Sequence, residues 1–349
     1  MRPVQPFETS LDTGDDRGLI QPGRTRKGPR RPMRASSYVL ALLVLLTLNF
    51  FLPRVMPGDP ISLLIELGSP VFVTPGTRLA LAHYYGLDRP LVVQFGRYLT
   101  GLLHGDLGIS VTYNRPVTRV IGERLPWTLL LVGTALALAT AMGWLAGIHS
   151  AWRRGRHSDR GLLVVFLALG NLPVFFIAPV VLLVFAVKLH WFPLAGGATP
   201  FATSGRIGRV ADVLDHLVLP ATVLGVLVSS SSFLVMRGSM VAEIGSDYLL
   251  LGHAKGLPDR RLKYRYAARN ALLPAATAAA LQVGQMVTSS VFIETVFAYP
   301  GLGKLMFDSI GSRDYPVLQG CFLILTAIVL TLNFLADLVY PRLDPRVRP

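Results

Sequence analysis

Six stretches of this chain contain no Asp, Glu, Lys or Arg: 35–53, 125–152, 161–187, 217–236, 271–293 and 315–336. Each is close to the roughly 20 residues that a helix needs to cross the hydrocarbon core of a bilayer. An ionised side chain at the centre of such a helix costs about 2.5–3.5 kcal/mol on insertion scales, which accounts for the gaps in charge. The pattern predicts an all-α membrane protein with six transmembrane helices. The first stretch follows a basic region, as the apolar core of a signal peptide does. It is longer than the roughly 7–15 residues of such a core, and no small-residue cleavage site follows. It therefore reads as a retained helix.

The stretches between the spans organise the rest. Residues 1–34 are rich in Pro, Gly and Arg and lack apolar periodicity, so they read as a disordered basic tail ahead of a transmembrane domain over 35–349. Residues 54–124 are too polar to span. They are punctuated by Met56-Pro57-Gly58-Asp59-Pro60 and Gly86-Leu87-Asp88-Arg89-Pro90, and apolar residues recur at helical spacing near 91–103. Short helices lying across one membrane face are expected there. The third span contains Asn171-Leu172-Pro173 and Pro179, and proline removes a backbone donor and kinks a helix.

Charge sets the orientation. Residues 1–34 hold eight Lys/Arg, 153–160 four, 237–270 seven and the tail after 336 three, whereas the alternate loops hold three and two. The positive-inside rule places both termini and the rich loops in the cytoplasm. Segment 54–124 holds seven, but loops beyond ~60 residues carry little topological weight. It is assigned to the outside. The net charge of +14 is thus largely a topology signal, with anionic lipid as its natural partner. No nucleic-acid-binding module accompanies it, so no nucleic-acid partner is expected. Overall 52% of residues are hydrophobic and 15% charged, against about 25% charged in soluble proteins.

Several chemistries lack their motifs. A phosphate-binding loop needs Gly-x-x-x-x-Gly-Lys-Ser/Thr. The nearest approach is Gly303-Lys304, where Ala298 replaces the first glycine and Leu305 the hydroxyl residue. No His-Glu-x-x-His motif is present and the single cysteine, Cys321, allows neither an intrachain disulfide nor a cysteine-based metal site. No cofactor, no metal and no catalytic residues are expected. Glu294 and Asp337 stand at the ends of spans, leaving span interiors without the ionisable groups that a proton-coupled carrier needs. Gln282 and Gln285 are a polar pair at i and i+3 on one helix face. Either they hydrogen-bond another helix or, with Asn171 of the kinked span, they line a translocation path. An ion-coupled secondary carrier and a membrane-embedded enzyme are the rival classes.

The most informative polar loop is 237–274. Ser246 or Asp247 can cap a short helix beginning near Tyr248, Gly256 can stop it in the left-handed conformation, and Pro258 suits the start of a second one. Gly252 and Ala254 are small enough to admit a partner surface, while Lys255 and Arg269 can face phosphate or acidic groups.

This loop contains Ala254-Lys255-Gly256-Leu257 and Arg269-Asn270-Ala271-Leu272-Leu273-Pro274. Three further runs accompany it: Met56-Pro57-Gly58-Asp59-Pro60; Gly86-Leu87-Asp88-Arg89-Pro90 through Gly105-Asp106-Leu107-Gly108-Ile109-Ser110 and Arg115-Pro116-Val117; and Glu294-Thr295-Val296-Phe297-Ala298-Tyr299-Pro300-Gly301-Leu302-Gly303. In this order, between these spans, they resemble the dipeptide/oligopeptide/nickel branch of the binding-protein-dependent ABC-importer permeases over residues 36–349. The likeness is to the first permease of the pair. The resemblance implies an inner-membrane subunit with no catalytic activity of its own. Its partners would be a second homologous permease, two ATPase subunits or an ATPase heterodimer that bind ATP and Mg, and an extracytoplasmic solute-binding protein. Peptides are the implied cargo, with nickel chelate, glutathione or oligosaccharide as alternatives. It further implies that 237–274 couples to the ATPases, through Asp247, Gly252, Ala254, Lys255, Gly256, Leu257, Arg269, Asn270 and Pro274. Where the wider family has Glu-Ala-Ala, this chain has Leu250-Leu251-Gly252, a greasier docking surface.

Overall fold

The computed structural model describes residues 35–55, 88–200 and 205–343, with isolated positions between 76 and 83. The tail over 1–34 and the Met56–Pro60 run lie outside the described residues. Eleven helices are named here in chain order: α1 (Ala35–Val55), α2 (Leu91–Leu103), α3 (Val117–Trp152), α4 (His157–Asn171), α5 (Val174–Val181), α6 (Arg206–Ile244), α7 (Asp247–Ala254), α8 (Asp259–Arg261), α9 (Ala268–Val296), α10 (Leu302–Gly311) and α11 (Tyr315–Leu343). α5 continues as a π-helix over Leu182–Lys188, and α8 joins α9 through another over Leu262–Ala267. Among the described residues the only extended pairing is an isolated bridge between Ile109 and Pro116.

α3 and α6 form the axis of the bundle, and small residues let them touch. A Cβ on Gly143 would stand 2.5 Å from the Ser232 Cβ and 2.7 Å from the Phe233 nitrogen. One on Gly147 would meet the Met236 Cβ at 2.9 Å, and one on Gly225 the Ala135 carbonyl at 3.0 Å. With Ala135, Ala139 and Ala151 fully buried, the small residues recur every four positions along one face of α3. Lipid tails are as apolar as leucine, so close backbone approach of this kind is a main source of helix association in membranes.

The register 135–225, 143–232, 147–236 makes α3 and α6 parallel. The chain between them must therefore return across the same thickness. It does so in a broken helix. α4 runs antiparallel to α6, with Asp159 beside Arg237, the Phe166 ring stacked on Phe233 at 4.3 Å, and Gly170 against Ser230. At Leu172-Pro173 the direction changes by 99°. Proline cannot donate to the turn before it, and α5 then leads to Gly196, whose N–H bonds the Phe297 carbonyl at the far end of α9.

α9 is antiparallel to both axial helices, from Ala268 and Ala271 beside Met236 and Met240 to Glu294 beside Thr128. α11 antiparallels α9: Gly284 faces Val329, and Gly320 packs on Val117 and Ile121 of α3. α1 meets the start of α11, where Asn49 donates to the Gln319 carbonyl at 2.9 Å. Among the described residues, four helices are long and apolar enough to cross a membrane, or five if the bent α4–α5 pair is one span. The remaining expected crossing falls on α1, a helix of 21 residues. α2 is the expected short helix of the 54–124 segment. It stacks Phe95 and Tyr98 around Phe50 and leaves Leu91, Val92 and Leu103 exposed.

The α3–α6 contact sets a test. Gly143→Val should lower the midpoint of thermal unfolding in detergent, since overpacking a close contact costs about 1–3 kcal/mol. Gly133→Val, at a position with nothing within 4 Å, should leave the midpoint unchanged. Equal midpoints for the two variants would contradict the packing described.

Candidate functional site: the 237–274 loop and the polar positions of the spans

Ser246 occupies the start of α7 in an extended conformation, as a capping residue should. Its hydroxyl, however, donates to the Glu243 carbonyl at 2.6 Å rather than accepting from α7. α7 ends as the sequence predicts. Gly256 has φ +72, the Leu257 N–H donates to the Gly252 carbonyl at 3.1 Å and the Gly256 N–H to the His253 carbonyl at 2.9 Å. This pair of bonds closes a helix through a left-handed glycine. Pro258 then precedes α8.

The inner face of the loop is fastened to the bundle. Leu249 and Leu262 are buried among Ile148, Met236, Met240 and Ala271. Asn270 donates to the Tyr248 hydroxyl at 3.0 Å, and that hydroxyl donates to the Glu243 carboxylate. Partial burial, reinforced by the Glu243 carboxylate, raises the Tyr248 phenol above its usual range, so the proton stays on the bridge at neutral pH. The outer face carries Asp247, Leu250, Leu251, Ala254, Lys255 and Arg269 exposed, with Leu250 at 64% and Leu251 at 55%. Pro274 is exposed one turn into α9, and Leu257 is half-buried.

One expectation is corrected. Gly252 does not face outward. It is buried, and a Cβ there would stand 2.5 Å from Leu262 Cδ2. Its small size lets α7 pack on the π-helix over Leu262–Ala267, while Ala254 keeps an open surface.

The three polar positions of the spans separate. Gln282 is buried and accepts from the Ser232 hydroxyl at 2.9 Å, so it joins α9 to α6. Gln285 is exposed on the neighbouring face of α9. Asn171 is exposed at the α4–α5 break, where its amide donates to the Leu167 carbonyl at 2.7 Å.

Residues 127–349 match the family described as "binding-protein-dependent transport system inner membrane component". The chain belongs to that family. It is similar to the di/tripeptide transport system permease protein DppB of Pseudomonas aeruginosa, at 35% identity over 86% of this chain and 93% of the relative. The dipeptide transport system permease protein DppB of Escherichia coli K12 is 33% identical over the same shares. This is therefore an ABC-importer permease of the dipeptide family, a multi-pass inner-membrane transporter subunit rather than an enzyme.

Two of the permease's family-like runs prove to be structural devices at the end of the bundle remote from the loop. Glu294 is fully buried and caps α10. Its carboxylate accepts from the Gly303 N–H at 2.6 Å, the Lys304 N–H at 3.1 Å and the Thr128 hydroxyl at 2.8 Å, and Thr128 in turn accepts from the Leu302 N–H at 2.8 Å. A carboxylate at a helix N-terminus serves the unpaired N–H groups and the positive end of the dipole together. Gly301 is a glycine because a Cβ there would lie 2.4 Å from the Glu294 carboxyl carbon. The glycines that resemble a phosphate loop thus surround a carboxylate of the same chain. The Gly105–Ser110 run is tied down likewise. Ser110 donates to buried Asp314 at 2.5 Å and the Thr112 N–H donates to the same oxygen at 2.9 Å.

Sequence reasoning also missed a buried ion pair of this permease, Asp159 with Arg237, whose partners lie far apart in the chain. Arg237 enters the sequence analysis only as one of the basic residues of 237–270, and Asp159 is not singled out there.

Glu294→Ala should strip the cap from α10 and leave buried N–H groups without acceptors, at about 1–3 kcal/mol. A clear drop in thermal midpoint is expected. Lys304→Ala, which loses only an exposed pair with Asp308, should shift it by less than ~0.5 kcal/mol. A stable Glu294→Ala protein would refute the cap.

Proposed function

We propose that this permease forms, with a second homologous permease, the route by which di- or oligopeptides enter the cytoplasm, driven by two ATPase subunits that bind ATP and Mg and supplied by an extracytoplasmic solute-binding protein. Both termini and the 237–274 loop lie in the cytoplasm, and 54–124 lies outside. One observation carries the reading. The loop is anchored on its inner face by Leu249, Leu262 and Asn270, yet it presents Leu250, Leu251 and Ala254 outward beside Lys255. Exposed large aliphatics on a fastened, charged loop fit a protein partner better than water or lipid. The loop is thus the coupling element, with Asp247, Ala254, Lys255, Leu257 and Arg269 toward the ATPase and Gly252, Gly256, Asn270 and Pro274 shaping it. The peptide cargo is supported by the names of the relatives. Gln285 and Asn171 are the path candidates, and Gln282 fixes the helix face that presents Gln285.

Gly256→Val places a β-branched residue in a left-handed turn, a strain of about 1–3 kcal/mol. Ala254→Glu adds bulk and charge to the docking face. Both proteins should insert at normal levels, while ATP-dependent peptide uptake falls on the order of 10-fold or more, the range of ordinary coupling energies. Normal uptake with full ATPase association in both would remove the loop from the coupling role.

Topology gives an independent check. In a Cys321→Ala background, single cysteines at Ser204 and Ser312 should react with impermeant thiol reagents added outside intact cells. Cysteines at Ser158 and Ser246 should react only after the membrane is opened. Outside labelling at 246 would invert the orientation.

A further inference from the structure

At the end of the bundle that carries the 237–274 loop, one carboxylate accepts four hydrogen bonds from three residues. The Arg237 guanidinium grips Asp159 with two parallel bonds, Nε to Oδ1 and Nη2 to Oδ2, both 2.9 Å. The Ser150 hydroxyl donates to Oδ1 at 2.5 Å and the Gly155 N–H to Oδ2 at 3.0 Å. Arg237 Nε also reaches the Ser150 oxygen at 3.1 Å. Asp159 is 3% exposed and Ser150 fully buried.

The four groups come from three helices and the turn between the first two. Ser150 is in the last turn of α3, Gly155 in the α3–α4 turn with φ +82, Asp159 in the first turn of α4, and Arg237 on α6 ten residues before α7. The fork of arginine fixes orientation as well as distance, because its planar donors match a carboxylate in one geometry only. Asp159 is thereby locked to α3 and α6 in angle. Below Arg237, α6 runs directly into the loop, and Met236 and Met240 on either side of it are buried with Leu249 and Leu262 of that loop. Above it, α4 reaches the 99° break at Asn171–Pro173 through the Phe166–Phe233 stack. A displacement of the loop therefore has a stiff route into the broken span, and the ion pair is a directional joint on it.

We propose that Arg237 and Asp159 are positioning residues for transport: their bidentate pair makes α3, α4 and α6 move as one body with the 237–274 loop, so that motion of the loop reaches the break in the α4–α5 span. The proposal rests on the coupling role given to the loop above. It differs from a fold-stabilising role in what its loss does. A staple that only stabilises would, when weakened, lower assembly and activity together. A joint that transmits motion would, when loosened, leave hydrolysis running while transport fails.

The test uses the complete transporter, with both permeases, the ATPases and the loaded binding protein, in proteoliposomes. Arg237→Lys keeps the charge and removes the fork. Asp159→Glu keeps the charge and shifts the carboxylate by one methylene. In both, ATPase co-purification should stay normal and hydrolysis should stay within about twofold, while peptide imported per ATP hydrolysed falls at least about fivefold, the lower range of allosteric coupling. Spin labels on exposed Ala242 of α6 and Arg160 of α4, in a Cys321→Ala background, read the joint directly. Their separation should be the same in the nucleotide-free and ATP-trapped wild type, and should differ between those states in Arg237→Lys. A wild-type separation that changes between states overturns the joint, whether or not the variants assemble. So does an unchanged ratio of transport to hydrolysis, or a parallel loss of both. Absence of ATP-dependent uptake in the wild type would instead defeat the coupling reading itself, leaving the label distances to judge the rigidity of α4 against α6.

Discussion

Everything in this bundle is hung on the contact between α3 and α6. Two helices with side chains of ordinary size stay 8–10 Å apart. Here Gly143, Gly147 and Gly225 remove the side chains that would hold the backbones apart. Dispersion forces gain where lipid offers no hydrophobic drive. The contact is parallel, which obliges the intervening chain to cross back, and it leaves two faces for α9 to close. The Gln282–Ser232 bond and the Glu294–Thr128 bond fasten α9 across that pair at two heights. α11 and then α1 pack outside α9 and α3.

Much of this was legible along the chain. The charge-free stretches locate α3, α6, α9 and α11 because the penalty for an ion in hydrocarbon acts residue by residue and leaves its mark in local sequence. The left-handed turn at Gly256 was legible for a similar reason, since only one residue type takes that conformation without strain. What was not legible depended on partners distant in sequence. Pro173 announced a kink, but its 99° size depends on α4 and α5 packing at different angles on α6. Gly252 looked like an opening for a partner until Leu262 filled the space beside it. Glu294 read as a charge at the end of a span, whereas its acceptors' partners lie beyond a turn and on α3. Arg237 counted only as loop charge and Asp159 was not singled out, because nothing local reveals that they meet.

The two ends of the bundle have been built by different chemistry. At the end remote from the loop, carboxylates are satisfied by backbone N–H groups and hydroxyls, as at Glu294 and Asp314. Such bonds hold turns in fixed shapes, including Ala298 at φ +46. At the loop end, the buried carboxylate takes a guanidinium in addition to a hydroxyl and a backbone N–H. The bidentate fork joins whole helices through their side chains, so the remote end holds turns in shape and the loop end holds helices in register with one another.

The break between α4 and α5 carries a solvation requirement. Where a helix stops, its last carbonyls lose their internal donors, and where the next begins, its first N–H groups lack acceptors. Asn171 serves the Leu167 carbonyl, the Leu172 N–H serves that of Leu169, and Pro173 brings no N–H of its own. The remainder must be hydrated or met by another polypeptide, because acyl chains offer neither donor nor acceptor. The bend is thus a place in the membrane where pure hydrocarbon cannot be the neighbour.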